Sequence, residues 1–350
     1  MILISQDMCA ALAEGVAVLG SGGGGEPSLE RLALSDLLYR GYQVRMITVE
    51  ELPADAYVVP VACMGAPMVT FEKIPTISQC LALSRMIKDA AAGRPLVIMA
   101  AEIGGGNGIL PLIMAALLEV PVLDADLMGR AFPEIPMVAP ALFGAIPSPF
   151  YMVGTDGAAT ITADSSVRIE EIARGICVSL GSAALVATYC MDGATARSCI
   201  IPGTVSLAFH IGHALIAARI NGKDPIAALL RVVKGREYAR GTIVSIEHTL
   251  DNGFLRGRVL ISGDADTVLI FKNEYLAINS AGKIVATTPD ILLLLDEQTG
   301  AAIATEALTH GIRVVAVAIQ APAVWRTLQG LSLVGPRAFG IETPYQEIQI

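Results

Sequence analysis

Apolar and polar positions follow two rhythms along the chain. Through about residue 165, short apolar runs bounded by turn residues read as buried strands: Gln43–Val49, Ala56–Cys63, Pro95–Ala101 and Val120–Ala125. Longer segments with helical character fall around them, at Asp7–Leu19, Leu29–Tyr39, Thr76–Ala92 and Ile109–Glu119. Alternating strands and helices predict an α/β fold, a layered α/β/α domain with a mostly parallel sheet. Ser166–Met191 and Val205–Ile220 read as helices. Past Arg240 the rhythm shortens to strands at Thr242–Thr249, Phe254–Ile261, Thr267–Lys272, Tyr275–Asn279 and Lys283–Thr287, with Asn252-Gly253 as the clearest hairpin turn. Ile291–Leu295 and Ile312–Val317 are again buried strands. The expected organisation is 1–165, an α/β domain with glycine-rich loops and an acidic site, and 166–350, a second domain of helices followed by a β-barrel-like part over about 240–310.

Chemistry concentrates in Ala101–Pro133, where a glycine loop and several polar side chains interrupt an apolar background. The unit reads as strand, glycine loop, helix, strand. A right-handed crossover brings Glu102, Asp124 and Asp126 to the carboxyl edge of a parallel sheet, where open α/β folds bind ligands. Gly104, Gly105, Gly106 and Gly108 permit positive φ and close approach of a ligand to the backbone, and Asn107 either caps the helix or touches that ligand. Asp124 and Asp126, two apart, project to one side of an extended chain. They then share a proton or a divalent cation, or simply cap the next turn. Arg130 either clamps a substrate carboxylate or neutralises the pair. Glu72 and Lys73 are an acid and a base near the same edge, or a solvated pair.

Composition narrows the class. The 350 residues are 53% hydrophobic and 16% charged, which predicts extensive burial and a homo-oligomer. A net charge of −9 without a Lys/Arg cluster argues against a nucleic-acid partner. Six cysteines without a C-x-x-C pair read as free thiols of a cytoplasmic protein. Ser198–Ala218 carries no formal charge, yet Pro202, Gly203, His210 and His213 make it a core helix rather than a membrane span. His210 and His213 share a helix face but lack a third metal ligand, which leaves helix packing as their expected role. Gly20, Gly22 and Gly25 match G-x-G-x-x-G. Only Val16–Leu19 precede them as an apolar run, however, and Glu26 would repel a pyrophosphate, so no nucleotide cofactor is expected.

GSGGGGEP, PVACMGAPMVTFEK, EIGGGNGILPL, VPVLDADLMGRAFPE, PGTVSLAFHIGHA, FKNEYL, TPDILLLLDEQTG and VGPRAFG, in this order, resemble the S-methyl thiohydantoin desulfurase-like family over nearly the whole chain. Cys63 departs from it, standing where an apolar residue is expected. The resemblance implies a hydrolase of a thiohydantoin or hydantoin-type cyclic amide, with water displacing methanethiol from the ring, and association with hydantoinase or oxoprolinase subunits. An accessory, non-catalytic partner of such an enzyme is the alternative. On the hydrolytic reading Asp126 is the base, directly or through a metal held with Asp124, and Glu102 is the acid. Asn107 and the backbone of Gly104–Gly106 donate to the ring, Arg130 grips a substrate carboxylate, and Gly23, Gly24, Glu72 and Lys73 complete the substrate contacts.

Overall fold

The computed structural model describes residues 1–65, 69, 75–251 and 254–349, so Glu72, Lys73 and the Asn252-Gly253 turn lie outside the described residues. In chain order the first strands are β1 (Ile2–Ile4), β2 (Val44–Ile47), β3 (Tyr57–Gly65), β4 (Leu96–Ala100), β5 (Val122–Leu123) and β6 (Ala125–Asp126). After these come β7 (Phe150–Val153), β8 (Ala158–Ile161), β9 (Ala183–Ala187), β10 (Met191–Asp192) and β11 (Ile201–Pro202). The early helices are α1 (Met8–Leu19), α2 (Ser28–Tyr39), α3 (Ile77–Ala91) and α4 (Gly106–Leu118). The later ones are α5 (Ser166–Ser179), α6 (Gly193–Cys199), α7 (Thr204–Ile220), α8 (Pro225–Val232) and α9 (Leu328–Val334).

The first sheet has the order β1-β2-β5-β4-β3-β9-β7-β8, with β10 also paired to β3. It is mixed rather than mostly parallel. Only β2, β5, β4 and β3 pair in parallel, with α3 carrying the chain from β3 to β4 and α4 from β4 to β5. Past β3 the sheet is extended by β9, antiparallel to both β3 and β7, and by the β7–β8 hairpin. Strand β9 corrects the helix expected over Ser166–Met191: α5 stops at Ser179, and Gly181 and Ser182, both at positive φ, turn the chain into AALVA. That run is buried throughout and has no helical period to distinguish it.

Alternate strand residues serve two cores. Val59, Val61 and Ile98 face α1, α2, α4 and α7, whereas Val58, Val97 and Met99 face Leu127–Ala139, α6, Trp325 and Val334. The second face is therefore covered largely by irregular chain. Helices α1 and α7 cross in backbone contact, since a Cβ on Gly15 would lie 1.7 Å from the Ala208 carbonyl oxygen and one on Gly212 1.8 Å from that of Ala11. No helix among the described residues is long and apolar enough to cross a membrane.

The second half forms one antiparallel sheet from β12 (Gly235–Asp251), β13 (Phe254–Gly263), β14 (Thr267–Lys272), β15 (Glu274–Ser280), β16 (Lys283–Thr287), β17 (Ile291–Asp296) and β18 (Arg313–Ile319), in the order β16-β15-β14-β13-β12-β18-β17. It curls into a half-barrel. Register shifts in β12, between Ile243 and Ser245 and between Glu237 and Ala239, supply bends at which it curves.

Candidate active site

A cavity of about 180 Å³ opens at the carboxyl ends of β3 and β4, between the two sheets. Its walls come from Ala62–Gly65 of β3, Ala101 and Glu102 after β4, the first turn of α4, Gly23–Gly25 and, from the second half, Asn273, Glu274 and Glu306. The sheet edge is the one expected for ligand binding in a parallel α/β unit.

Glu102 is held by Asn107, the second residue of α4. The Asn107 Nδ2 donates to Glu102 Oε1 at 2.6 Å and to the Cys63 carbonyl at 3.3 Å, while its Oδ1 accepts from the Cys63 N–H at 2.6 Å. Both ends of the amide are thus fixed by β3, and the carboxyl orientation follows. Burial lifts the Glu102 pKa to about 7; Asn107 and the Phe132 N–H oppose the rise, and the Asp126 charge adds to it. A carboxyl in that range exchanges a proton near neutrality. Cys63 also lines the cavity, but burial holds its thiol at about 12, so it offers no thiolate.

The two glycine loops pack on each other. The Gly105 N–H donates to the Val16 carbonyl at 2.8 Å and the Gly106 N–H to Gly25 at 3.2 Å, so neither amide is free for the ring as anticipated. Gly105 sits at φ +61°, and a Cβ there would come within 2.2 Å of the Gly25 oxygen. Gly104, whose Cβ would meet Gly20 Cα at 2.7 Å, serves the same close approach. Gly106, Gly23 and Gly24 border the cavity. The first loop also docks on the half-barrel, through Tyr275 N–H to the Ser21 carbonyl at 2.8 Å and Thr305 N–H to Gly22 at 3.0 Å.

Asp124 and Asp126 are not brought together as a pair, and neither borders the cavity. The strand breaks at Asp124, so the two-residue spacing does not set one common direction. Asp124 accepts from the Ser206 N–H at 3.0 Å and hydroxyl at 2.6 Å, at the start of α7. Asp126 is fully buried and accepts from the N–H groups of Ile103 at 2.9 Å, Met128 at 3.1 Å and Gly129 at 2.8 Å. Burial raises its pKa, and those three donors pull it back. Asp124 is spent on the first turn of α7 and Asp126 on the backbone of Ile103, Met128 and Gly129, and the two do not fit as a shared metal site. Among the described residues no group of three or more His, Cys, Asp or Glu side chains is disposed to hold a metal ion. His210 and His213 are exposed beside the Phe209 ring.

Arg130 is likewise unavailable to a substrate carboxylate. Fully buried, it donates to the carbonyls of Pro289 at 2.8 Å, Asp290 at 2.6 Å and Ala131 at 3.0 Å and to Ser21 Oγ at 2.9 Å, and lies over the Phe132 ring. It is a bolt between the halves.

Sequence reasoning missed the acids supplied from outside Ala101–Pro133. Among the described residues the lining carries Glu26, Glu30, Glu102, Glu134, Glu274 and Glu306 against Arg174 alone. Glu274 is 3% exposed, and burial, reinforced by Glu102, raises its pKa well above the usual range. The available signal was a glutamate at the head of the apolar run EYLAI, whose five residues are all buried.

A family profile described as S-Me-THD-like, N-terminal domain matches residues 7–164, and one described as S-Me-THD-like, C-terminal domain matches residues 164–348. The chain belongs to the S-Me-THD-like family. The fold of this S-Me-THD-like chain resembles a crystal structure of a protein from Chromobacterium violaceum, with a TM-score of 0.85, 24% identity and coverage of 100% of both chains. No curated protein matches it.

Proposed function

We propose that this S-Me-THD-like chain hydrolyses an S-methylated thiohydantoin-type ring in the cavity between its sheets, with Glu102 as the proton-transfer group. The observation that carries this reading is a desolvated carboxyl, at about 7, fixed by Asn107 at the carboxyl edge of β3 and β4. Family membership supplies the ring chemistry. Relative to the sequence expectation, the base role moves from Asp126 to Glu102, which alone of the two borders the cavity.

In the reaction, water adds to the ring carbon bearing the methylthio group as ionised Glu102 takes one of its protons. The carbon–sulfur bond then breaks, and Glu102 returns that proton to the departing methanethiolate. The second proton of the water ends on the ring nitrogen, leaving a hydantoin and methanethiol. One carboxyl therefore acts as base and then acid, which suits a pKa near the working pH. The apolar wall of Leu110, Met128, Phe132 and Val186 limits bulk water around the ring and strengthens the electrostatics there.

The test is methanethiol release from a 2-methylthio-imidazolone substrate, followed with a thiol reagent. Glu102→Gln should lower kcat by about 100-fold or more, and wild-type kcat/KM should rise with pH through about 7. Equal rates in the two proteins would refute the assignment. Ring binding without release in the wild type would instead favour a ligand-binding accessory role.

A further inference from the structure

Two of the most enclosed polar side chains on the cavity wall have nothing to bind. Glu274 Oε2 and Thr188 Oγ1 are buried without a hydrogen-bond partner, on residues 3% and 5% exposed, and Glu30 Oε2 is a third buried oxygen without one. All three residues line the cavity. Unsatisfied buried polar atoms are costly, and three of the five among the described residues lie on this one wall, the other two being Thr204 Oγ1 and Arg326 Nε. Room for Glu274 is built in: a Cβ on Gly23 would lie 2.1 Å from its Oε1. The lining cation, Arg174, is already engaged with Glu170 and the Pro133 carbonyl.

We propose that the wall formed by Glu274, Glu30 and Glu102 binds a planar, N–H-bearing cation of the amidinium type, so that the ring enters as a cyclic S-methyl isothiouronium rather than as a neutral or anionic amide. The identity of the ring rests on the hydrolytic reading; the charge preference rests on the wall itself. Protonation at nitrogen makes the carbon bearing sulfur more electrophilic, so the same contacts that recognise the ring prepare it for water; because the ring nitrogen then arrives with its proton, the second proton of the water leaves to the carboxylate wall and solvent, and the products are hydantoin, methanethiol and one proton.

Glu274 faces Glu102 and Glu306, which raise its pKa beyond the effect of burial, and Arg130, which lowers it; Glu30 is raised by burial and by Glu26. The net shift of each carboxyl is toward its protonated form. Arrival of a cation favours the ionised carboxylates, so binding releases protons and tightens as pH rises through the range in which the wall titrates.

The experiment is titration calorimetry of the full chain with 2-methylthio-2-imidazoline, a cyclic isothiouronium lacking the ring carbonyl, beside neutral hydantoin and anionic hydantoin-5-acetate. Wild type should bind the cation about tenfold or more tightly than either comparator, with a heat that varies with the ionisation enthalpy of the buffer. Glu274→Gln should weaken the cation by about tenfold while changing hydantoin by less than about threefold, and Glu30→Gln should give a smaller loss in the same direction. Comparable binding of hydantoin or the anion by wild type, no binding of the cation, or unchanged cation affinity in both variants would overturn the proposal. Cation binding without methanethiol release would sink the hydrolytic reading and leave this one standing. Turnover by an enzyme that prefers the anion would do the reverse.

Discussion

Glu102→Gln should make the protein more stable and less active at once, and the gain should depend on pH. In the folded chain the Glu102 pKa rises from 4.5 to about 7 because ionising it means placing a charge in a desolvated wall. By linkage, the folded state binds this proton more tightly than the unfolded state does. The group's stabilising contribution is complete below about pH 4.5 and is lost as pH rises through 7. The shift corresponds to about 3 kcal/mol, which wild type forfeits above neutrality. Glutamine keeps an oxygen for the Asn107 Nδ2 and never ionises, so it does not incur that cost. Urea unfolding of both proteins at pH 5 and pH 8.5 reads the difference directly. The variant should exceed wild type by about 3 kcal/mol at pH 8.5 and by about 1 kcal/mol or less at pH 5. A stability difference that is the same at both pH values would show that the carboxyl is not desolvated, and the proton-transfer assignment would lose its physical basis.

Gly23→Ala places a methyl against Glu274 Oε1 without demanding a left-handed backbone; it should cost about 1–3 kcal/mol by overpacking and raise KM, measured by unfolding and by steady-state release. Asp126→Asn should lower stability by about 1–3 kcal/mol while the folded fraction still turns over, because its partners are Ile103, Met128 and Gly129 rather than the cavity. Loss of all activity from a well-folded Asp126→Asn protein would restore it as the base. Arg130→Met should destabilise by about 3–5 kcal/mol, since it removes the donors to Pro289 and Asp290 and leaves neighbouring carboxyls without their buried cation; a stable variant with only a raised KM would mark it as a substrate clamp after all.

What was legible in the chain follows from where the physics is local. Thr267–Lys272 was readable because its residues alternate strictly between a buried and a half-buried face, whereas Ile291–Asp296 and Arg313–Ile319, buried almost throughout, were readable as short apolar runs between turns. Glu102 and Asn107 were readable because a glycine loop after an apolar strand restricts where the next polar groups can lie. The mixed sheet was not readable, since AALVA of β9 is buried on both faces and looks the same in a helix or a strand. The aspartate pair failed for a different reason: two-residue spacing fixes direction only in an unbroken strand, and this strand breaks between them. Glu274 stands 172 positions beyond Glu102 in the chain, and contacts between the halves, among them the docking of Ser21 and Gly22 on the half-barrel and of Arg130 on Pro289 and Asp290, make them neighbours across one wall.

The placement of β9 has a consequence for inheritance. The two family domains meet at residue 164, yet β9, which lies beyond it, is the strand that joins β3 to the β7–β8 hairpin. A chain cut at that boundary would leave β3 with a bare edge and the hairpin with no sheet to belong to, a template for aggregation. The halves are therefore not modules that recombination can exchange between relatives one at a time. They have to be replaced, truncated or redesigned as a single piece.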